Sequence, residues 1–543
     1  MTYRIVWWEL VRLARRGEMH RARTLLLYSL LLAIVLFAFW WSFPASPISM
    51  FLGPAESIHA RDVSKFAGIL ALALLESQLL LVVAITPAYA AAAIAEEKDR
   101  RTLPLLLTTE LTDGEIVWGK ALARVLFVLT AVATGIPVLA LTLLFGGVDL
   151  EFLLAGYALT TGTVILCAAI GVSAACHAPD SRGALIRAYS QCAAIVAGVL
   201  IPPLVLLSPF AMLVYHGLEV RSGVMRALFG FGYPVGQTVI ACAIMVEATR
   251  NLRRAGPAVE PPQPTAYPEP PRGRAVLMVP FILDHAPEPL PPVDDADPVL
   301  WKERQSWRTP LPILGRSARI LGAVFTIVTV TLFAIGGFLL IQRVSHALDP
   351  TEAEKLLRRG PQPPDPAGSM LVAAGVFASG LYLVPLAVGV AGCIAGERSR
   401  QTLESLLATS LSRWRMLWSK VRAHTERGLA FAGGAAAALG AGFGADGGAW
   451  FGLAALVAYA AGVGMVLGLA TWLSVRCATP VRAFRLCMPA VVAVVSLPVL
   501  VWYLTQWEDT TRSVEALAWT AGAFAVLGVL FWLRAGVELE RGE

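Results

Sequence analysis

The stretch IAEEKDRRTLPLLLTTELTDGEIVWGK at residues 94–120 recurs at residues 394–420 as IAGERSRQTLESLLATSLSRWRMLWSK. The two stretches align without a gap at an offset of 300, and twelve of their 27 positions are identical. Self-similarity at a fixed spacing is the signature of a repeated structural unit, and a charged, varied segment rarely matches this well by chance. The sequence therefore predicts a duplication.

A second match lies upstream of each stretch. Trp7-x-Glu9 stands in a basic, aromatic segment, and Trp301-x-Glu303 recurs in the other half of the chain. Each copy therefore predicts the same order of parts: an amphipathic leading helix, two apolar runs, a polar insert and four more apolar runs. We call residues 97–120 the first insert and residues 397–420 the second insert.

The composition is that of a membrane protein. Of the 543 residues, 57% are hydrophobic and 15% are charged, whereas soluble chains carry about a quarter charged residues. Apolar runs of about 20 residues recur, and such a run can cross a hydrocarbon core roughly 30 Å thick. The net charge of +6 comes from short basic clusters beside these runs, so we expect the lipid bilayer as a partner and no nucleic acid.

Counting the runs predicts an all-α polytopic membrane protein with about twelve transmembrane helices in two six-span repeats. The runs lie near residues 24–43, 67–95, 121–146, 153–177, 184–208, 233–249, 317–342, 369–395, 428–446, 449–475, 486–506 and 514–535. The predicted domains are a first six-span unit at 1–254, a Pro-rich cytoplasmic linker at 255–298 and a second six-span unit at 299–543. The linker also contains an apolar patch at 276–283 to which we assign no role.

Basic residues near the N-terminus predict the orientation. Segments rich in Lys and Arg that flank a span stay in the cytoplasm, and an even number of spans returns the chain to the same side. We therefore expect a multi-pass protein of a bacterial inner (plasma) membrane with both termini in the cytoplasm. Because each unit has an even number of spans, the two units would insert the same way up, related by an axis along the membrane normal.

Leucines in each insert follow the i, i+3, i+4, i+8 spacing of one helix face. They are Leu103, Leu106, Leu107 and Leu111 in the first insert, and Leu403, Leu406, Leu407 and Leu411 in the second. Each insert therefore predicts a short amphipathic helix, with Thr102 or Thr402 at its N-cap. A helix that only lies at the bilayer surface has the same pattern and stays an alternative.

Charged residues beside the leucines suggest how the inserts fold. Glu97 and Arg100 are three residues apart, as are their counterparts 300 residues on, so we expect each pair to bridge on a helix leaving the membrane. Residues 112–115 read TDGE, which fits a capping box that starts a second helix, and Ser412 keeps only the cap. Each insert thus predicts a helix, a turn and a second helix.

The pattern E-x-x-R-x-T-L-x-x-L-L-x-T-x-L followed by W-x-K resembles the insert between the second and third spans of type-2 ATP-binding-cassette (ABC) exporter permeases. In that family the insert is a coupling helix that contacts the ATPase subunit, so the resemblance implies cytosolic ABC ATPase subunits as partners. It is carried by Glu97, Arg100, Thr102, Leu103, Leu106, Leu107, Thr109, Leu111, Trp118 and Lys120, and by Glu397, Arg400, Thr402, Leu403, Leu406, Leu407, Thr409, Leu411, Trp418 and Lys420. The first copy departs from a regular helix with Pro104 in its first turn.

Motifs for catalysis are missing from the sequence. There is no GxxxxGK[ST] loop to cradle ATP phosphates, no GxSxG elbow, no HExxH pair and no clustered set of metal ligands. We therefore predict a transport permease that is not itself an enzyme and binds no cofactor or metal. ATP-Mg would be bound by the partner ATPase.

Polar and small residues inside the spans carry further expectations. Glu76 lies well inside the second run, where a charged carboxylate costs about 2.5–3.5 kcal/mol. It therefore predicts a polar contact on the translocation path, a proton site, or a protonated or hydrogen-bonded glutamate near a helix interface. Its counterpart is Val376. Gly440-x-x-x-Gly444 and Gly464-x-x-x-Gly468 predict close approach of helix backbones.

Two other functions fit parts of the pattern. A secondary transporter of the major-facilitator type also has twelve spans, a parallel repeat and a central linker, but it joins its second and third spans through a short loop instead of a long insert. A scaffold without transport would need no duplicated insert. The substrate is not indicated by the sequence, and the motifs alone do not decide between a homodimeric and a heterodimeric ATPase.

Charge differs between the inserts. Residues 96–120 contain six acidic and four basic residues, a net charge of −2, while residues 396–420 contain two acidic and five basic residues, a net charge of +3. Opposite charge favours different partner surfaces. The difference therefore predicts two non-identical ATPase chains.

Overall fold

The computed structural model of the protein describes residues 2–15, 17–41, 60–146, 148–178, 180–197, 208–210, 212–213, 228–252, 275–276, 284–285, 297–305, 366–409, 411–426, 428–447, 449–505 and 510–541. The chain divides into two compact units, Met1–Pro257 and Ala258–Glu543. The division falls at the start of the predicted linker. The predicted apolar run 317–342 and most of the linker lie outside the described residues.

The described part of the first unit is helical. Its helices are α1 (Thr2–Arg15), α2 (Glu18–Trp41), α3 (Ala60–Asp99), α4 (Leu103–Leu107), α5 (Asp113–Ala133), α6 (Ile136–Leu144), α7 (Leu150–His177), α8 (Ser181–Ala197) and α9 (Tyr233–Asn251). A π-helical turn, Leu228–Gly232, precedes α9. Because a hydrocarbon core offers no water to bond backbone groups, helices that satisfy those groups internally are the form expected of apolar runs this long.

The described residues of the second unit form the remaining helices and two very short strands. The helices are α10 (Pro298–Gln305), α11 (Pro366–Ala391), α12 (Ala395–Ser399), α13 (Leu403–Leu407), α14 (Arg413–Glu426), α15 (Leu429–Gly447), α16 (Ala449–Arg476), α17 (Pro480–Thr505) and α18 (Thr510–Arg541). Strands β1 (Ala275–Val276) and β2 (Asp284–His285) pair antiparallel. These two strands are the exception to the all-α prediction.

Within the described residues, seven helices are long and apolar enough to cross a membrane. They are Ala67–Asp99, Asp113–Leu144, Leu150–His177, Gly230–Asn251, Ala374–Ala391, Trp450–Arg476 and Thr520–Glu540. Each coincides with one of the twelve apolar runs in the sequence. The prediction of a helical, polytopic, membrane-embedded protein is confirmed to this extent, whereas the count of twelve spans and the orientation stay predictions.

Small residues let helices of the second unit approach closely, as the sequence predicted. A Cβ atom added to Gly468 in α16 would collide with the backbone of Gly528 in α18. A Cβ atom added to Gly452 in α16 would likewise collide with the carbonyl oxygen of Gly440 in α15. Both glycine motifs therefore act in backbone packing, which replaces the missing hydrophobic driving force between helices in lipid.

Candidate functional site

The turn that ends α3 has a defined shape in the first insert. The Thr102 N–H donates to the Glu97 carbonyl at 2.9 Å and the Arg101 N–H donates to the Lys98 carbonyl at 3.0 Å. These two bonds form a Schellman motif, whose reversing residue adopts the left-handed conformation. That residue is Arg101, with φ of +58°, although glycine is the usual choice because side chains strain this conformation.

The second insert has the same turn. The Thr402 N–H donates to the Glu397 carbonyl at 3.0 Å and the Gln401 N–H donates to the Arg398 carbonyl at 3.2 Å. Gln401 takes the left-handed position with φ of +59°. The two inserts therefore fold alike although the reversing residue differs.

The amphipathic helix of each insert is shorter than predicted. It begins after Thr102 or Thr402, as expected, but ends at Leu107 or Leu407, so Leu111 and Leu411 lie beyond it. The tight turn prevents an earlier start, and the hydroxyls of Thr108 and Thr109 bond carbonyls three residues back at the end of α4. The predicted helix face over the nine residues 103–111, and the matching face over 403–411, was therefore wrong.

The threonine at each N-cap does not cap with its side chain. The Thr102 hydroxyl instead donates to the Glu97 carboxylate, and the Thr402 hydroxyl donates to the Glu397 carboxylate. Thr102 therefore closes the turn by binding back to the end of α3.

Glu97 pairs with basic side chains distant in sequence. Its Oε1 atom lies 3.4 Å from Lys120 Nζ and 3.5 Å from an Arg12 guanidinium nitrogen. The predicted bridge to Arg100 on a common helix was wrong, because α3 ends at Asp99. The second insert repeats this geometry, since α12 ends at Ser399 and Lys420 Nζ lies 2.8 Å from Glu397 Oε1.

The same lysines reach the leading helices. Lys120 Nζ lies 3.0 Å from Glu9 Oε1 in α1, and Lys420 Nζ lies 2.6 Å from Glu303 Oε1 in α10. Glu9 also lies 3.3 Å from an Arg124 guanidinium nitrogen. We call the cluster of a leading-helix glutamate, a turn glutamate and an insert lysine the lysine lock: Glu9, Glu97 and Lys120 in the first unit, and Glu303, Glu397 and Lys420 in the second.

Most charged groups of the lysine lock are buried. Glu9 is 1% exposed, Lys120 4% and Lys420 2%, so each charge is removed from water and depends on its partners. Burial alone would raise the pKa of Glu397, but the Lys420 ammonium lowers it to about 2. Burial would lower the pKa of Lys420, yet Glu303 and Glu397 raise it overall.

Glu9 follows the same electrostatic rule. Burial by itself would raise the pKa of Glu9, and the Lys120 and Arg124 charges lower it below its ordinary value. The ionised form of one glutamate is thus favoured in each unit, Glu9 in the first and Glu397 in the second.

Each of the short insert helices, α4 and α13, exposes some of its side chains and buries others more deeply. In α4, Leu103 is 1% exposed whereas Leu105 is 73% exposed, and Thr108 and Thr109 are exposed at its end. In α13, Leu406 and Leu407 are half-buried while Glu404 and Ser405 are exposed. Pro104 is accommodated in the first turn of α4, where its missing N–H costs nothing.

The second helix of each insert starts as predicted. Thr112 and Glu115 form a complete capping box at the start of α5, and Ser412 accepts a bond from the Arg415 N–H at 3.4 Å. In the second unit, Arg413 donates to the carbonyls of Leu539 and Glu540 at 2.7 Å each. The end of α18 is therefore tied to the second insert.

Trp118 and Trp418, which occupy matching positions in the two inserts, lie on the second helices and are partly exposed. Trp418 packs edge-on against Trp532 of α18 with ring centroids 5.7 Å apart. Trp118 occupies the matching position in α5.

Glu76 lies on α3, away from the inserts. Its Oε1 atom is buried and has no hydrogen-bond partner among the described residues. The translocation-path and packing interpretations of Glu76 both stay predictions. No group of three His, Cys, Asp or Glu side chains that could hold a metal ion occurs among the described residues either.

Comparison with known proteins adds no relative, because no protein-family model and no curated protein matches the chain. The lysine lock was missed in the sequence, where only the recurrence of Trp-x-Glu pointed to Glu9 and Glu303. Arg12 and Arg124 had no signal beyond their charge.

Proposed function

We propose that this chain is the membrane permease of an ABC-type exporter that couples ATP hydrolysis on separate cytosolic ATPase subunits to movement of a substrate across the membrane. The observation that carries the proposal is the lysine lock, which recurs with the same residue types beneath a short exposed helix in both inserts. Two such helices would receive two ATPase domains.

A docking helix must be held rigidly to transmit force. The lysine lock supports this role because it joins the leading helix, the end of a long apolar helix and the start of the next one through one buried ammonium group. Removing one partner of a buried ion pair typically costs about 3–5 kcal/mol, since an unpaired charge stays buried. A push on α4 would therefore move α1, α3 and α5 together.

The proposed architecture has more spans than the seven that the described residues show. It has twelve spans in two six-span permease units, 1–254 and 299–543, joined by the linker 255–298. ATP binding would close the two ATPase domains, move the inserts as levers and rock the units to open a path outward. Glu76 would lie on that path.

Different ATPase chains at the two inserts remain part of the proposal, with a smaller electrostatic basis. Several charges counted in the sequence are bound within the fold: Lys120 and Lys420 in the lysine lock, and Arg413 on α18 carbonyls. The exposed charges are Arg100, Arg101 and Glu110 in the first insert, and Arg400, Glu404 and Arg415 in the second. The partner surfaces would therefore differ in charge position more than in net charge.

A binding titration tests the docking surface. Leu105→Ala should weaken binding of the co-purifying ATPase roughly tenfold or more, because burying a leucine side chain against a partner contributes about 1.5–3 kcal/mol. Leu150→Ala is the matched control, since Leu150 is also exposed, at 60%, but begins α7 outside the inserts. Equal binding by both variants would contradict docking at α4 and favour the secondary-transporter alternative.

A further inference from the structure

Lys98, in the turn that ends α3, reaches the end of α7. Its Nζ atom donates to the carbonyls of Ala175 at 2.8 Å, Cys176 at 2.9 Å and Ala178 at 2.7 Å. A lysine ammonium has three donors, and the last carbonyls of a helix have no partner within it. All three donors of Lys98 therefore bond carbonyls at the C-terminal end of α7.

Asp99, the next residue, holds the start of α8. Its Oδ1 atom accepts the Ser181 N–H at 3.1 Å and its Oδ2 atom accepts the Ser181 hydroxyl at 2.5 Å. A carboxylate at a helix N-terminus satisfies free N–H groups and interacts favourably with the helix dipole. Two adjacent side chains thus hold both sides of the corner between α7 and α8, residues 175–181.

The second unit keeps the first contact and changes the second. An Arg398 guanidinium nitrogen donates to the Cys477 carbonyl at 3.2 Å, at the end of α16. Ser399 occupies the place of Asp99, and its hydroxyl donates at 2.9 Å to the Gly396 carbonyl of its own segment. Ser399 has no carboxylate with which to hold α17.

We propose that Lys98 and Asp99 are positioning residues that carry movement of the first insert into the α7–α8 corner, and that Asp99 gives the first unit a direct hold on α8 that Ser399, in the described part of the second unit, does not give on α17. This inference rests on the proposed function. Lys98 and Asp99 directly follow Glu97 of the lysine lock, so a displaced insert moves the lock and the corner as one body. The two units of the permease therefore respond differently to their ATPase domains.

Hydrogen exchange in the working complex tests this inference. The chain is purified with its ATPase from native membranes, and exchange is measured over residues 178–186 and 478–486, with and without ATP-Mg. We expect a nucleotide-dependent difference over 178–186 that is at least twice the difference over 478–486. If the contacts only cap the helices, exchange over residues 178–186 should be the same with and without ATP-Mg.

Variants that exchange residues between the two units make the test specific. Asp99→Ser, which installs the residue of the second unit, should lower the nucleotide-dependent difference over 178–186 by at least half, and Asp99→Asn should give an intermediate loss. Lys98→Arg should keep the difference because Arg398 makes the same kind of contact, whereas Lys98→Met should lose it. All four variants should still bind the ATPase.

Two results would overturn the inference: an undiminished nucleotide-dependent difference in Asp99→Ser, or equal differences over the two windows in the unsubstituted chain. Failure of the proposed function looks different, since the unsubstituted chain would then be purified without any ATPase. The two failures are therefore distinguishable in one preparation.

Discussion

The Nζ atom of Lys120 lies 3.0 Å from the Oε1 atom of Glu9, although 111 residues separate them in the chain. Lys420 and Glu303 make the matching contact at 2.6 Å in the second unit. Both lysines also contact the glutamate that begins the turn after the preceding long helix. Each insert is thus fastened on two sides by one buried charge.

Lys120→Met should lower the free energy of unfolding by about 3–5 kcal/mol, because Glu9 loses its closest ionic partner while staying buried. The loss is measured as a fall in melting temperature of the purified chain in detergent. Arg422→Met is the matched control, since Arg422 pairs with Glu426 on the surface, where such a pair contributes about 0–1 kcal/mol. If Lys120→Met has the same melting temperature as Arg422→Met, the lysine lock adds no stability.

Acid should weaken the second lysine lock in a defined pH window. The pKa of Glu397 is lowered from 4.5 to about 2, so its ionised form favours the folded state. That stabilisation is complete above the ordinary pKa of 4.5 and is lost as pH falls towards 2. Glu397→Gln should therefore show a smaller loss of melting temperature between neutral pH and pH 3 than the unsubstituted chain. An identical loss would mean that Glu397 titrates alike in the folded and unfolded states.

Arg101→Gly should raise the free energy of unfolding by about 0.5–1 kcal/mol, because glycine relieves the left-handed strain at this position while adding some entropy to the unfolded chain. Gln401→Gly should act in the same direction, since its φ is nearly the same. Arg100→Gly is the control and should not stabilise, because Arg100 has no positive φ. Thermal melting checks all three, and a lower melting temperature for Arg101→Gly would contradict strain at the turn.

The features that could be predicted from the sequence are those that short patterns encode. Apolar runs of sufficient length predicted the membrane helices, and TDGE predicted the capping box at Thr112 and Glu115 because both partners lie three residues apart. The glycine motifs predicted close backbone packing because each motif lies within five consecutive residues.

The missed features depend on residues far apart in the chain. Glu97 was expected to pair with Arg100, but Lys120 and Arg12 are its partners because the turn at Arg101 ends the helix first. Lys98 contacts carbonyls 77 to 80 residues away, and nothing in the local pattern distinguishes it from a solvent-exposed lysine. The predicted helix was too long at Leu111, because the spacing of leucines does not indicate where a helix ends and a turn begins.

Glu76→Gln should leave the assembled complex intact and lower ATP-driven turnover, because glutamine keeps the shape of the side chain but cannot ionise. The motivating observation is the buried Oε1 atom of Glu76 without a hydrogen-bond partner among the described residues. Turnover of the complex in liposomes is compared with that of the unsubstituted chain and with that of Ser77→Ala as a control, since the Ser77 hydroxyl donates to the Leu74 carbonyl of its own helix. Unchanged turnover over a range of pH would favour a packing role for Glu76.

The central claim is that two ATPase domains work with each chain, one on each insert. Native mass spectrometry of the complex purified from native membranes measures this stoichiometry directly. We expect a stable assembly with two ATPase domains per chain, which loses both ATPase domains when Leu105 and the lysine-lock residue Lys420 are substituted together. A stable chain that is purified at full yield with no ATPase bound would contradict the claim.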